Sequence, residues 1–189
     1  MFKKKKINRI WRIFLPIILV IIILLFFHPF GLNSKTAPAT PNPSTSALYD
    51  DFHLLIPSLD IDTPVIADVD GTDQDAYFKA LENGVAHFRG TAKPGQSSNI
   101  FIFGHSSFYW YKPGNYKKIF ANLEDIKIGD EIILWYSQKE YKYHTSEIKT
   151  VDPSEIDVLK PTSEEQVSLM TCVPPGTALR RLIVVAKRM

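Results

Sequence analysis

Residues 168–186 read Ser-Leu-Met-Thr-Cys-Val-Pro-Pro-Gly-Thr-Ala-Leu-Arg-Arg-Leu-Ile-Val-Val-Ala, two apolar runs on either side of Pro174-Pro175-Gly176. Short runs of this kind bounded by turn residues read as strands, and the prolines turn the chain straight after Cys172. Working outward, the same pattern recurs at Phe52 to Ile56, Thr63 to Ile66, Ile100 to Gly104, Glu131 to Tyr136 and Glu140 to Val151. With Val167 to Thr171 and Arg181 to Ala186, these make an all-β domain, a closed barrel or a sandwich. Pro57 and Pro64 stand at expected strand boundaries, where a residue without an N–H is tolerated. The interval Thr72 to Leu81 alone reads as a full helix. Thr72 and Asp73 are cap candidates, Ala76, Tyr77, Ala80 and Leu81 fall at helical spacing, and Asn83-Gly84 is the stop. A shorter helical turn is expected over Tyr116 to Asn122, and Gly129-Asp130 reads as the turn into the strand that follows.

Before this domain the chain changes character. The first twelve residues carry Lys3, Lys4, Lys5, Lys6, Arg9 and Arg12 with no acid, and Ile13 to Phe27 then runs fifteen residues without a charge. Extended by Pro29, Phe30 and Leu32, the apolar stretch approaches the ~20 residues of a transmembrane helix. The basic flank is N-terminal, which predicts a cytoplasmic tail over residues 1–12, a single-pass anchor over 13–32 and an extracellular remainder. A cleaved signal peptide is the competing reading, with Ala37-Pro38-Ala39 as a loose cleavage site. Residues 33–48 are rich in Pro, Ser and Thr and read as an extended linker. Residues 49–189 form one domain, large enough for its own core.

Of the 22 Lys+Arg, six lie in the tail, so the remainder sets 16 bases against all 20 acids. The exported part is mildly acidic, which argues against nucleic-acid binding. Cys172 is the only cysteine. It cannot form an internal disulfide, so it is a small buried hydrophobe, a partner in an intermolecular pair or a free reactive thiol. No metal-ligand spacing stands out, and no cofactor is expected.

A thiol attacks as its thiolate and needs a cation or base nearby. Ile100-Phe101-Ile102-Phe103 reads as a buried central strand that Gly104 ends, leaving His105 where loops gather. A histidine there can trade protons near neutral pH. Arg181 starts the strand that returns toward Cys172, and its planar fork of donors suits an oxyanion. Arg180 would point to the opposite face if the strand has already begun. The structural alternative for any one histidine is a hydrogen-bonded packing role, and it is kept for His28, His53, His87 and His144.

These residues resemble a known family. A Gly-His upstream, then Ser168-Leu-Met-Thr-Cys-Val-Pro-Pro-Gly176, then Arg181 before an apolar strand, is similar to the sortases, cysteine transpeptidases of the Gram-positive-type cell surface. Gly84-Val-Ala-His-Phe and Gly90-Thr-Ala-Lys-Pro-Gly95 extend the resemblance, and the anchor fits it. Ser168 stands where Thr is usual, and Phe103 where a small residue often precedes Gly-His. A class D/E-like assignment is compatible with these residues, which do not resolve the class. The resemblance implies a closed β-barrel of about eight strands with one or two short helices.

It also implies roles: Cys172 as nucleophile, His105 as general acid/base and Arg181 as oxyanion partner. Ser106, Leu169, Thr171 and Pro174 are expected to touch substrate. So are Ile156 and Leu159, from a loop over Asp152 to Glu165 whose Pro153, Val158 and Pro161 add apolar surface for a Leu-Pro pair. The implied partners are surface proteins with a C-terminal sorting signal similar to Leu-Pro-x-Thr-Gly, and an amine acceptor such as a peptidoglycan precursor or a pilin lysine. Two other classes compete: an exported Cys-His hydrolase, whose familiar papain-like order places Cys before His, and a non-catalytic anchored binding module.

Overall fold

The computed structural model describes residues 52–189. The tail, the anchor and the linker lie outside them, as do the first residues of the domain. Among the described residues no helix is long and apolar enough to cross a membrane.

The described residues hold eight strands, in chain order β1 (His53–Ile56), β2 (Ile61–Val69), β3 (Val85–Phe88), β4 (Asn99–Phe103), β5 (Glu131–Tyr136), β6 (Lys139–Val151), β7 (Gln166–Val173) and β8 (Arg180–Arg188). They close into one barrel in the order β1-β2-β3-β4-β7-β8-β6-β5, with β5 pairing back onto β1. The β2/β3 and β4/β7 pairs are parallel and the others antiparallel. Closure leaves no strand edge exposed to a second chain.

Among the described residues one α-helix, α1 (Gln74–Leu81), crosses over from β2 to β3. Its N-cap is Asp73, whose carboxylate accepts from the backbone N–H groups of Asp75 and Ala76. Three short 3₁₀ turns, Pro57–Leu59, Leu123–Asp125 and Ile156–Leu159, complete the elements. The helical turn expected over Tyr116 to Asn122 is a series of turns, and the 3₁₀ segment begins only at Leu123.

Two elements depart from the sequence reading. Strand β3 was not anticipated, because four residues interrupted by a histidine give too short a pattern. Its side chains Val85, Ala86 and His87 are all fully buried. Pro64, expected at a boundary, is internal to β2. The Val65 N–H donates to the Phe52 carbonyl across β1, so the Pro64 nitrogen faces the β3 side, one residue before that ladder starts at Val65 and Val85. No donor is lost there. Gly84 is required at the same place, because a Cβ would sit 2.3 Å from the Pro64 carbonyl oxygen.

Alternation along the strands builds two apolar layers. Ile100 and Ile102 of β4, Val167 and Leu169 of β7 and Leu182 and Val184 of β8 point into the barrel. Phe101 and Phe103, Met170, Ile183 and Val185 point out of it, into a second layer shared with Ala80, Leu81 and Tyr77 of α1. Val158 and Leu159 extend that outer layer. The buried Asn99 side chain ties their turn to the sheet by donating to the Val158 carbonyl, and its own carbonyl oxygen accepts from Ser168. The serine at position 168 thus completes a buried polar network.

Candidate active site

Parity along the strands carries three side chains to one face. His105 follows Phe101 and Phe103 on the outward rhythm of β4, Cys172 follows Met170 on β7, and Arg181 precedes Ile183 on β8. Cys172 and Arg181 are directly opposite in the β7/β8 ladder. Such antiparallel neighbours hold their Cβ atoms about 5 Å apart. The parallel β4/β7 register sets Phe103 beside Met170, so its continuation sets His105 beside Cys172. The site therefore lies on the outer face of three adjacent strands as they end. All three residues line one cleft of about 820 Å³.

The β4 and β7 ends are fastened together just before His105 and Cys172. The Gly104 N–H donates to the Met170 carbonyl at 3.1 Å, and the Thr171 hydroxyl donates to the Gly104 carbonyl at 2.9 Å. Thr171 is itself buried, so its hydroxyl holds the frame of the site. Gly104 must lack a side chain, since a Cβ would stand 2.7 Å from the Phe120 ring and 3.0 Å from Val85. One residue further, the His105 carbonyl accepts from the Phe120 N–H.

The His105 ring lies flat on Phe108, with centroids 4.5 Å apart, while Phe78 stacks at 6.4 Å and Tyr77 meets it edge-on at 6.2 Å. Burial among these rings holds its pKa below the ordinary imidazole value, so the neutral form prevails at neutral pH. Among the described residues neither ring nitrogen has a hydrogen-bond partner, so aromatic contact alone orients it. Tyr77 stacks on Phe103, and burial together with the nearby Cys172 raises its phenol pKa to about 12, against a smaller opposing effect of Arg181. It acts as a neutral wall.

Arg181 donates from Nη1 to the carbonyls of Ala178 and Arg180. Among the described residues its Nε and Nη2 make no hydrogen bond and it has no ion pair, so donor capacity remains for an anion. Arg180 is directed elsewhere. Its guanidinium caps the Val151 and Thr150 carbonyls of β6.

The other sequence candidates separate. Ser106 is buried and lines the cleft. Leu169 has no solvent exposure and packs inside the barrel, where alternation along β7 takes it from the face of Cys172. Pro174 is exposed and does not line the cleft. No residue of the loop from Asp152 to Glu165 lines it either. Ile156 is 73% exposed, and Leu159 packs on the outer layer. What sequence reasoning missed is the aromatic wall: Tyr77 and Phe78 from α1, and Phe108, Tyr109 and Trp110 from the loop after β4. The run Phe108-Tyr109-Trp110-Tyr111 was the available signal, an unusual density of rings in a turn-rich segment.

Chemically, a thiol beside a histidine and an arginine can carry out acyl transfer, with the base moving a proton and the cation balancing an oxyanion. Among the described residues no group of three His, Cys, Asp or Glu side chains is placed to hold a metal ion. A family model described as the sortase domain matches residues 54–189. The chain is similar to sortase A of Listeria monocytogenes, 25% identical over 90% of this chain and 88% of that one. It is also similar to sortase D of Bacillus subtilis, 30% identical over 71% of this chain and 62% of that one. Among solved structures, a lid mutant of sortase A from Corynebacterium diphtheriae superposes with a TM-score of 0.60 at 29% identity, covering 75% of this chain and 70% of that one.

Proposed function

The chain belongs to the sortase family of cysteine transpeptidases, and from that premise we propose that it cleaves a sorting signal similar to Leu-Pro-x-Thr-Gly after Thr, through a thioester on Cys172. The supporting observation is the ladder that sets Cys172 opposite Arg181 on the face reached by His105.

In the first half-reaction the Cys172 thiolate attacks the Thr carbonyl carbon, forming the S–C bond, and the carbonyl electrons move to oxygen. Arg181 balances that charge. Collapse breaks the C–N bond as His105, protonated in the reactive form, delivers its proton to the departing amine. In the second half an acceptor amine attacks the thioester and His105, now neutral, takes the proton. Cys172 departs as thiolate and regenerates the starting pair. The burial that lowers the His105 pKa makes the imidazolium a minor species and a stronger acid toward the leaving amine. Water in place of the amine gives hydrolysis.

The donors on this reading are surface proteins with a C-terminal sorting signal, and the acceptor is an amine of a peptidoglycan precursor or a pilin lysine. Residues 13–32 anchor the enzyme with residues 1–12 in the cytoplasm and the catalytic domain outside. Incubation of residues 50–189 with Leu-Pro-x-Thr-Gly peptides and an amine, followed by mass spectrometry, tests the chemistry. The expected result is an acyl adduct on Cys172 and an amide product, both lost in Cys172→Ala. Turnover retained by that variant would refute the assignment, and hydrolysis unaffected by added amine would make the enzyme a peptidase.

A further inference from the structure

The loop after β4 presents a surface that donor cleavage does not account for. Between Phe108, stacked on His105, and Lys112, the side chains of Tyr109 and Tyr111 are each 62% exposed and that of Trp110 is 86% exposed. Large rings are seldom left this open side by side on a surface without a ligand. The loop is also held in place. Its ends are joined where the Phe120 N–H donates to the His105 carbonyl, Lys117 donates to the Trp110 carbonyl at 3.0 Å, and the Lys112 N–H donates to the Tyr109 carbonyl. Gly114, at φ +99, packs so closely on the Glu82 backbone after α1 that a Cβ would meet it at 2.7 Å.

Two observations indicate what this surface meets. The first is its position: Phe108, Tyr109, Trp110 and Lys118 line the same cleft as Cys172, on the side of His105. The proton that His105 gives to the departing amine is the counterpart of the one it later takes from the incoming amine, so the acceptor must approach past His105. The second is charge. From Gly104 to Leu123 the chain carries Lys112, Lys117 and Lys118 and no acid. A bare cationic amine is repelled by such a loop, whereas an amine on a body bearing carboxylates is attracted.

We infer that the loop Phe108–Lys118 is the acceptor subsite, in which Tyr109 and Trp110 take the body of the amine substrate by stacking and the lysines select a carboxylate-bearing one. The inference rests on the acyl-transfer reading above. It assigns to this loop the choice of nucleophile, separate from recognition of the sorting signal.

The test is the partition of the acyl-enzyme between amine and water, measured with one Leu-Pro-x-Thr-Gly donor and with glycylglycine or its C-terminal amide as nucleophile. In the wild type, glycylglycine is expected to outcompete its amide severalfold. In Trp110→Ala the ratio of transpeptidation to hydrolysis is expected to fall about tenfold, because water needs no subsite. In Lys112→Gln/Lys118→Gln the preference for the free carboxylate is expected to disappear. A partition unchanged in these variants, whatever happens to total turnover, overturns the inference. So does a change that shows only when anionic vesicles are added, which would assign the loop to a membrane surface. If wild-type Cys172 forms no thioester at all, the acyl-transfer reading itself fails, an outcome distinct from an altered partition.

Discussion

At the residue scale, two adjacent arginines of nearly identical sequence context are distinguished by parity alone. Arg181 shares the outward face with Cys172, while Arg180 spends its guanidinium on the Val151 and Thr150 carbonyls. Arg181→Ala is therefore expected to lower kcat/KM by roughly 10²- to 10³-fold, the usual loss for one oxyanion donor. Arg180→Ala should change it only a few-fold, and Arg181→Lys should recover part of the loss. Steady-state kinetics on a sorting peptide check this, and a larger effect at position 180 would mean that the strand presents the other face to substrate. Choosing Cys172, His105 and Arg181 as candidates needed only residue types and strand ends, and alternation said that at most one of Arg180 and Arg181 serves, while the resemblance pointed to Arg181. The ring system around His105 was not legible, because Tyr77, Phe78 and Phe108 come from two segments that meet only when α1 folds onto the sheet.

At the scale of elements, the β4 and β7 ends must remain in register for His105 and Cys172 to face one cleft. The Thr171 hydroxyl to Gly104 carbonyl bond is the side-chain fastening closest to both. Thr171→Val keeps shape and burial but deletes the donor, leaving a strand-end carbonyl short of its partner, at a cost of about 1–2 kcal/mol. Urea unfolding should show that loss, with a parallel fall in kcat/KM, and Thr171→Ser should restore most of both. A variant with full stability and full activity would show that the ladder bonds alone hold the register. Strand β5 was readable to the residue and β1, β4, β6, β7 and β8 to within two residues at each end, since each is a long enough run of β-branched or aromatic residues bounded by turns. Strand β3 escaped because Val85–Phe88 is too short for alternation to show and has both faces buried.

At the scale of the whole molecule, two histidines are held in neutral form, one inside the barrel and one, His105, half-buried on its outer face, and this sets how stability depends on pH. His87 is fully buried. Its Nδ1 accepts from the Asp68 N–H, which leaves Nε2–H to donate to the Ala92 carbonyl. Burial is the main cause that depresses its pKa, as it is for His105. Both groups bind a proton more weakly folded than unfolded, so unfolding takes up protons below the ordinary imidazole pKa of about 6.5. Stability is then full above that pH and declines as pH falls through the folded values, by at most about 1.4 kcal/mol per pH unit for each proton. The urea midpoint is expected to be level between pH 7 and 8 and to drop from about pH 6.5 downward, with a shallower drop in His105→Asn. A midpoint that rises on acidification would reverse the sign. By itself the sequence determined the β class and the helix between β2 and β3, and it named Cys172, His105 and Arg181 as candidates, because period, capping and residue chemistry are local properties of the chain. Only the tertiary structure decided that the site lies on the outer face of β4, β7 and β8 under an aromatic wall. It also placed Leu169 inside the barrel and left Ile156 exposed. The side a strand turns toward the core, and the distant segments that cover it, depend on closure of all eight strands.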